Sequence, residues 1–320
     1  MIISASRRTD LPAFYSAWLL RRLQEGYCLV QNPFNPKQVS RVSLSPRDVD
    51  AIVFWTKNPA QILSALSKFA AYPYYFQFTL TPYGRDIEPG LPAKQDLVKT
   101  FQALSRQIGR ERVVWRYDPI LLTTEWNVER HARVFEEMLA ELAPYTDTCV
   151  LSFVDLYRKT ERNTRSLGLL PLTWDVMREI AARFATIAVG TGVRLQSCAE
   201  DLALEDFGIE HGACIDKARL ERIIGRRILD TRSARKDPTQ RSTCRCLASV
   251  DIGAYNTCRH LCKYCYANFS PAEVAAHAGL HDPDAPLLIG RQHPAAVVKE
   301  RAVTHLEYSA AQNYVESSLF

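Results

Sequence analysis

Strand signals and helix signals alternate without interruption over the first two thirds of this chain, and that rhythm restricts the fold more than any other feature. Short apolar runs at 2–6, 50–55, 74–80, 112–117, 148–154 and 193–198 read as strands. Between them, apolar residues recur at helical spacing. Phe14, Trp18, Leu19 and Leu23 mark a helix that starts near Pro12, and further helices run to about Phe69 and over 93–108, 128–142 and 174–187. Residues 27–44 are β-like with Asn-Pro turn signals and resemble an insertion. Repeated β/α units imply a parallel sheet with crossover helices. The expected class is α/β: a partial or complete (β/α) barrel of about six units, with a cysteine-rich cluster segment towards the C-terminus. No G-x-G-x-x-G follows the first strand, which argues against a dinucleotide fold. The expected divisions are a barrel over 1–218, a basic and cysteine-rich segment over 219–269 that closes on it, and a helix and tail over 270–320. The helix of that last part is expected at 271–278, stopped by Gly279.

Composition excludes several classes. Apolar residues make up 47% and charged residues 23%, as in ordinary water-exposed globular chains. No signal-peptide core begins the sequence and no apolar run is long enough for a bilayer, so a cytoplasmic protein with reduced thiols and no membrane partner is expected. The net charge of +5 is mild, but basic residues crowd 219–245 (Arg219, Arg222, Arg226, Arg227, Arg232 and onwards). Such a run either meets a phosphate backbone or forms a solvated helix face.

The chemistry concentrates in Cys258-Arg-His-Leu-Cys262-Lys-Tyr-Cys265. A local turn would aim these closely spaced thiols at one soft-metal site. Three ligands leave one iron of a 4Fe–4S cluster open to a small molecule. A structural zinc knuckle, with His260 or a remote cysteine as fourth ligand, remains the alternative. Nine cysteines and no export signal argue against a disulfide framework. Cys198, Cys214, Cys244 and Cys246 form a second set that would suit another iron–sulfur cluster or a zinc, the alternative being buried free thiols. Cys28 and Cys149 lie in apolar strand-like runs and read as core.

Polar residues gather at the carboxyl ends of the expected strands, where β/α barrels carry their chemistry. They are Arg7, Arg8, Asp10, Lys57, Asn58, Thr81, Arg116, Asp118, Asp155, Gln196 and Glu200. Helix capping and loop hydrogen bonds are the competing explanation for each.

The cysteine spacing, with aromatic Tyr264 just before the last thiol, resembles the cluster motif of radical S-adenosylmethionine enzymes. Two stretches, Ile3-Ser-Ala-Ser-Arg-Arg-Thr-Asp10 and Asp251-Ile-Gly-Ala-Tyr-Asn-Thr-Cys258 through Asn268, together resemble a bacterial family of uncharacterised proteins. That family is known for a C-terminal cysteine cluster similar to the radical enzymes' N-terminal one. The resemblance implies a 4Fe–4S cluster on Cys258, Cys262 and Cys265, bound S-adenosylmethionine, and a 5′-deoxyadenosyl radical that attacks an unknown substrate. It implies no substrate; a small molecule is expected, or a nucleic acid if the basic run meets one, and an electron donor such as flavodoxin or ferredoxin. One departure is large: the motif follows the sixth strand here, whereas in radical enzymes it follows the first. Cofactor contacts are therefore assigned by position alone, to Arg7, Arg8, Lys57, Glu200 and Tyr264, with Tyr255 and Tyr266 as further shielding and no catalytic residue named. The rival function is a zinc-stabilised, non-enzymatic nucleic-acid binder. A metal-dependent hydrolase ranks last, because the first strand has no His-x-His.

Overall fold

The computed structural model describes residues 1–155 and 158–310. Among the described residues eleven strands form, in chain order: β1 (Ile2–Ala5), β2 (Tyr27–Asn32), β3 (Asn35–Ser43), β4 (Ala51–Thr56), β5 (Tyr74–Thr79), β6 (Val113–Ile120), β7 (Thr148–Phe153), β8 (Arg194–Ser197), β9 (Glu210–His211), β10 (Val250–Asp251) and β11 (Val297–Glu300). Eight of them make one parallel sheet in the order β10-β1-β4-β5-β6-β7-β8-β9.

Successive side chains on a strand point to opposite faces, and here both faces are buried. On the helix side Ile3, Phe54, Phe76, Trp115 and Leu151 join one core. Their strand neighbours Ile2, Val53, Tyr75, Val114 and Val150 join a second core on the inner face. Helices at Ser16–Glu25, Lys94–Ile108, Val128–Leu142 and Trp174–Ala188 cover the outer side. Asn127 and Thr173 cap the last two by accepting from Arg130 N and Val176 N. Phe135 and Phe184 lock that pair together by stacking at 3.9 Å. Residues Pro59–Phe69 form a 3-10 helix, with Ile62, Leu66 and Phe69 inward.

The six long strands of the large sheet are the six expected from the sequence, but the sheet does not close. Its edge strands β10 and β9 have two residues each and do not pair with one another. Such short strands cannot supply a closing ladder. The chain between them lies over the inner face instead, where Ile215, Leu220, Ile228 and Leu247 pack. Closure into a complete barrel is therefore overturned.

The β2–β3 hairpin stands apart, as an insertion should, and β11 joins β3 in parallel to make a second sheet. The sequence pattern did not announce β11, whose four residues are all exposed and lack an inward face. Cys28 and Cys149 are fully buried, and burial pushes the Cys28 thiol up to about 12. The basic stretch is not one long helix. Its helix spans Lys217–Ile224 and stops at Gly225, which sits at φ 74 in the left-handed region that glycine adopts without penalty.

Candidate functional site at the carboxyl rim

The cysteine loop leaves the sheet directly after β10, and β10 runs parallel beside β1 with Ile3 opposite Val250 and Ser4 opposite Asp251. The loop therefore opens on the carboxyl rim next to the first strand. Asp251 explains why two distant motifs belong together. Its carboxylate accepts from Ser4 Oγ at 2.6 Å, Ser6 Oγ at 2.7 Å, Arg7 N at 2.8 Å and Gly253 N at 2.9 Å. Gly253 is required there, because a Cβ would overlap Ser6 Oγ. Asp10 ties a second layer. It accepts from Ala13 N at 2.9 Å and from Lys57 N at 2.7 Å, and its Oδ2 lies 2.9 Å from His260 Nε2. Of the two His260 ring nitrogens, only buried Nδ1 lacks a partner.

The loop is closed on itself. Asn256 N donates to Ala267 O at 2.9 Å, Cys265 N to Cys262 O at 3.0 Å, and Asn268 Nδ2 to Cys258 O at 2.8 Å. Tyr266 Oη reaches Arg7 O at 2.7 Å, and Tyr15 Oη reaches Thr257 O at 2.7 Å. Cys262 is buried, while Cys258 and Cys265 are half-buried. Burial pushes the Cys262 thiol up to about 12 against the pull of the nearby Lys57 cation. Burial also raises Cys258, and Cys265 and Cys262 raise it further, as expected of thiols that face one another. As the side chains stand, no group of three or more His, Cys, Asp or Glu among the described residues surrounds a common metal position.

Glu88 is the hub beneath the loop. Its carboxylate is fully buried and takes Lys57 Nζ at 2.8 Å, Thr81 Oγ1 at 2.7 Å, Lys94 Nζ and Tyr264 Oη. Burial alone would raise this carboxyl, but Lys57 and Lys94 outweigh it and bring it to about 2. The neighbouring backbone is laced to the loop, Gly90 N to His260 O at 2.9 Å and Lys263 N to Ile87 O at 3.0 Å. A Cβ on Gly90 would overlap the carbonyl oxygen of Arg259. Glu88 was not among the sequence candidates, because a single acid in a loop has no neighbours in sequence that mark it.

The candidate residues fall into two groups. Around the loop, Lys57 and Tyr264 are held on Glu88, Arg8 lies 5.3 Å over the Tyr255 ring, and Asn58 caps the following helix. The Arg7 guanidinium turns away from the loop, 5.0 Å over Trp55 and 3.7 Å from Asp237. At the other end of the rim, Arg116 pairs with Asp118 and Asp155 with Arg241. Gln196 packs against Gly212, where a Cβ would crowd it at 2.8 Å. Glu200 accepts from Ser152 Oγ at 2.8 Å and Phe153 N at 2.9 Å, and burial raises its carboxyl to about 7. It lines two adjoining cavities of about 210 Å³ and 380 Å³.

Three of the second cysteine set meet, and Cys244 belongs to the same buried cluster. Cys198 Sγ lies 3.1 Å from Cys214 Sγ, and Cys214 N and Ile215 N donate to Cys246 Sγ at 3.2 Å and 3.4 Å. The basic run is not a uniform solvated face. Arg219 is buried, donating to Asp147 at 2.9 Å, Thr148 Oγ1 at 2.7 Å and Glu111 O. Arg245 donates to His211 O at 3.2 Å.

Fold and site together define an α/β protein with an open parallel sheet and a cysteine loop fastened beside its first strand. The chain belongs to the family described as Domain of unknown function (DUF1848), which it matches over residues 2–267, from β1 to just past Cys265. No curated protein and no solved structure matches it. Among the described residues, no helix is long and apolar enough to cross a membrane.

Proposed function

We propose that this protein is a radical S-adenosylmethionine-type iron–sulfur enzyme built on a partial β/α barrel, with its cluster loop moved from after the first strand to after a strand paired with it. The observation that carries the reading is the β1–β10 pairing, which returns Cys258, Cys262 and Cys265 to the rim position beside strand one. The donor set fits. Three soft thiols share one closed loop, Ala267 N donates to Cys265 Sγ at 3.4 Å, and the Lys57 cation stands near Cys262. N–H···S contacts and nearby cations stabilise ligating thiolates, and thiolates are what iron–sulfur clusters require. When bound, a 4Fe–4S cluster and S-adenosylmethionine supply one-electron cleavage of the sulfonium and removal of a hydrogen atom from substrate.

The chain's own residues position these groups. Cys258, Cys262 and Cys265 would hold the cluster. Asp251 and Gly253 set the loop's exit from the sheet, and Glu88 fixes its far side through Tyr264. Lys57 and Tyr264, given as cofactor contacts by position, act as positioning residues because Glu88 already occupies them. Arg8 is the rim cation for the cofactor's carboxylate. Tyr255 and Tyr266 shield the loop, and Glu200 offers a polar contact to a substrate in the adjoining cavities. A flavodoxin or ferredoxin would deliver the electron.

The test is reductive cleavage of S-adenosylmethionine by anaerobically reconstituted protein, read as 5′-deoxyadenosine. The reading expects the product from wild type and none from Cys262→Ala. Equal traces from both, or none from either in a protein that carries iron and sulfide, would end it.

A further inference from the structure

A second thiol constellation lies deeper in the molecule and plays no part in the proposed reaction. Cys198 comes from the end of β8, Cys214 from just after β9, and Cys244 and Cys246 from the irregular stretch before β10. We propose that these four cysteines form a tetrathiolate metal site, flanked by Arg7 and Arg116, that fastens the chain between β9 and β10 onto the inner face of the sheet.

Convergence comes first. Three separate stretches deliver the four cysteines to one buried cluster, and none of the four residues is more than 9% exposed. Cys198 and Cys214 touch at 3.1 Å, and Cys246 takes two backbone N–H groups. Two or more N–H donors on a sulfur suit a thiolate ligand better than a neutral thiol, which is a weak acceptor.

Charge is the second argument. Arg116 is buried and donates from Nη1 to Cys214 Sγ at 2.8 Å. Part of its charge is met by Asp118, with Nε 3.1 Å from the carboxylate. The Arg7 guanidinium lies within electrostatic reach of Cys246 and Cys214, with Asp237 at 3.7 Å, and among the described residues its buried Nη2 has no hydrogen-bond partner. Four thiolates around a dication, or around an oxidised four-iron cluster, carry net negative charge. Buried guanidiniums would stabilise that charge, whereas four neutral thiols leave the Arg7 donor unmet.

The chain from 225 to 249 has no α-helix and no strand in the sheets, yet it covers the inner core through Ile228 and Leu247. Metal stitching is a common way to hold irregular chain. An entry path exists as well, because Thr243 and Cys244 line the 380 Å³ cavity with His211 and Glu200. Cys198 Sγ and Cys214 Sγ now touch, so ligation would require them to part around the metal.

The site does not depend on the rim loop, and the test separates the two. A variant with Cys258, Cys262 and Cys265 all changed to Ala would be purified anaerobically after exposure to Zn²⁺, or to Fe³⁺ with sulfide and dithiothreitol as reductant. We expect about one zinc, or one cluster's iron and sulfide, to remain per chain, and to vanish when Cys214→Ser and Cys246→Ser are added. The arm that loads identifies the metal. A folded triple variant with no bound metal in either arm overturns the proposal. If the triple variant does not fold, native mass spectrometry of Cys262→Ala and Cys214→Ser carries the same test. Each should lose one metal centre's mass from the wild-type total and keep the other's. A Cys214→Ser protein that loses none, or a Cys198–Cys214 disulfide in wild type, overturns it.

Discussion

The two cysteine regions of this molecule are assembled in opposite ways. The rim loop takes all three thiols from one short stretch, and the fold's contribution is to hold that stretch still. It does so with carboxylates: Asp251 at the exit, Asp10 behind His260, and Glu88 beneath Tyr264. The inner set takes its thiols from three stretches, and the groups beside its sulfurs are arginines, each paired to an aspartate. One region is written locally and supported by the fold, and the other exists only because the chain is folded. The consequence is a difference in what breaks them. Loss of a rim carboxylate should loosen the loop and leave the inner set intact, whereas loss of inner thiols should free the chain between β9 and β10.

The largest expected effect comes from Glu88→Leu, which leaves Lys57 and Lys94 without their shared counter-charge. It should lower stability by about 3–5 kcal/mol, measured by urea denaturation. If the loss is below ~1 kcal/mol, the rim is not held by charge and the contrast fails.

Acid titration gives the next effect. The Glu88 carboxyl lies at about 2 against an ordinary 4.5, so its contribution is complete above pH 4.5 and is lost as pH falls through 2. The size is roughly 3 kcal/mol, and a Glu88→Gln variant should show a flatter profile in that window. His131 titrates elsewhere. Burial lowers it to about 4 from 6.5, between Tyr117 Oη at 2.9 Å and Leu121 O at 2.9 Å. Stability that rests on neutral His131 is full above pH 6.5 and declines towards pH 4, so that part of the profile should persist in Glu88→Gln.

Gly90→Ala should act on the rim alone. Its Cβ would push the Arg259 carbonyl and with it the cysteine loop, costing roughly 1–3 kcal/mol. Iron uptake by the loop should fall, and any metal on the inner set should be unchanged. Equal loss from both would show that they are mechanically one unit. Tyr264→Phe is the mildest change. It removes one hydrogen bond to a buried carboxylate that keeps three other partners, so a loss of about 1–2 kcal/mol by the same denaturation is expected.

The sequence was most informative where structure is periodic. Strands 2–5, 51–56 and 74–79 and helix 128–142 follow directly from apolar spacing. It also singled out the seven cysteines that the proposals use as ligands, because cysteine is rare and the spacing of the rim three is chemical. What it left unread depends on distance along the chain. Asp251 binds Ser4 across 247 residues, and nothing near either residue marks the pair. Strand β10 is too short for any period to register, so the return to β1 was a geometric expectation rather than a pattern. Charge alone also misled. Arg219 reads as part of a solvated basic run, yet it is buried against Asp147 and Thr148. Leu156 and Tyr157, after β7, and the tail from 311 lie outside the described residues.

The central claim is that the rim loop, once returned beside β1, binds a cluster. The most direct measurement is anaerobic purification of wild type and Cys262→Ala, with iron, acid-labile sulfide and zinc quantified alongside the visible spectrum. The account predicts a brown wild-type protein that loses the rim loop's share of iron and sulfide in the variant, whatever the inner set retains. A colourless protein with stoichiometric zinc after anaerobic reconstitution, or iron unchanged by the substitution, would contradict it.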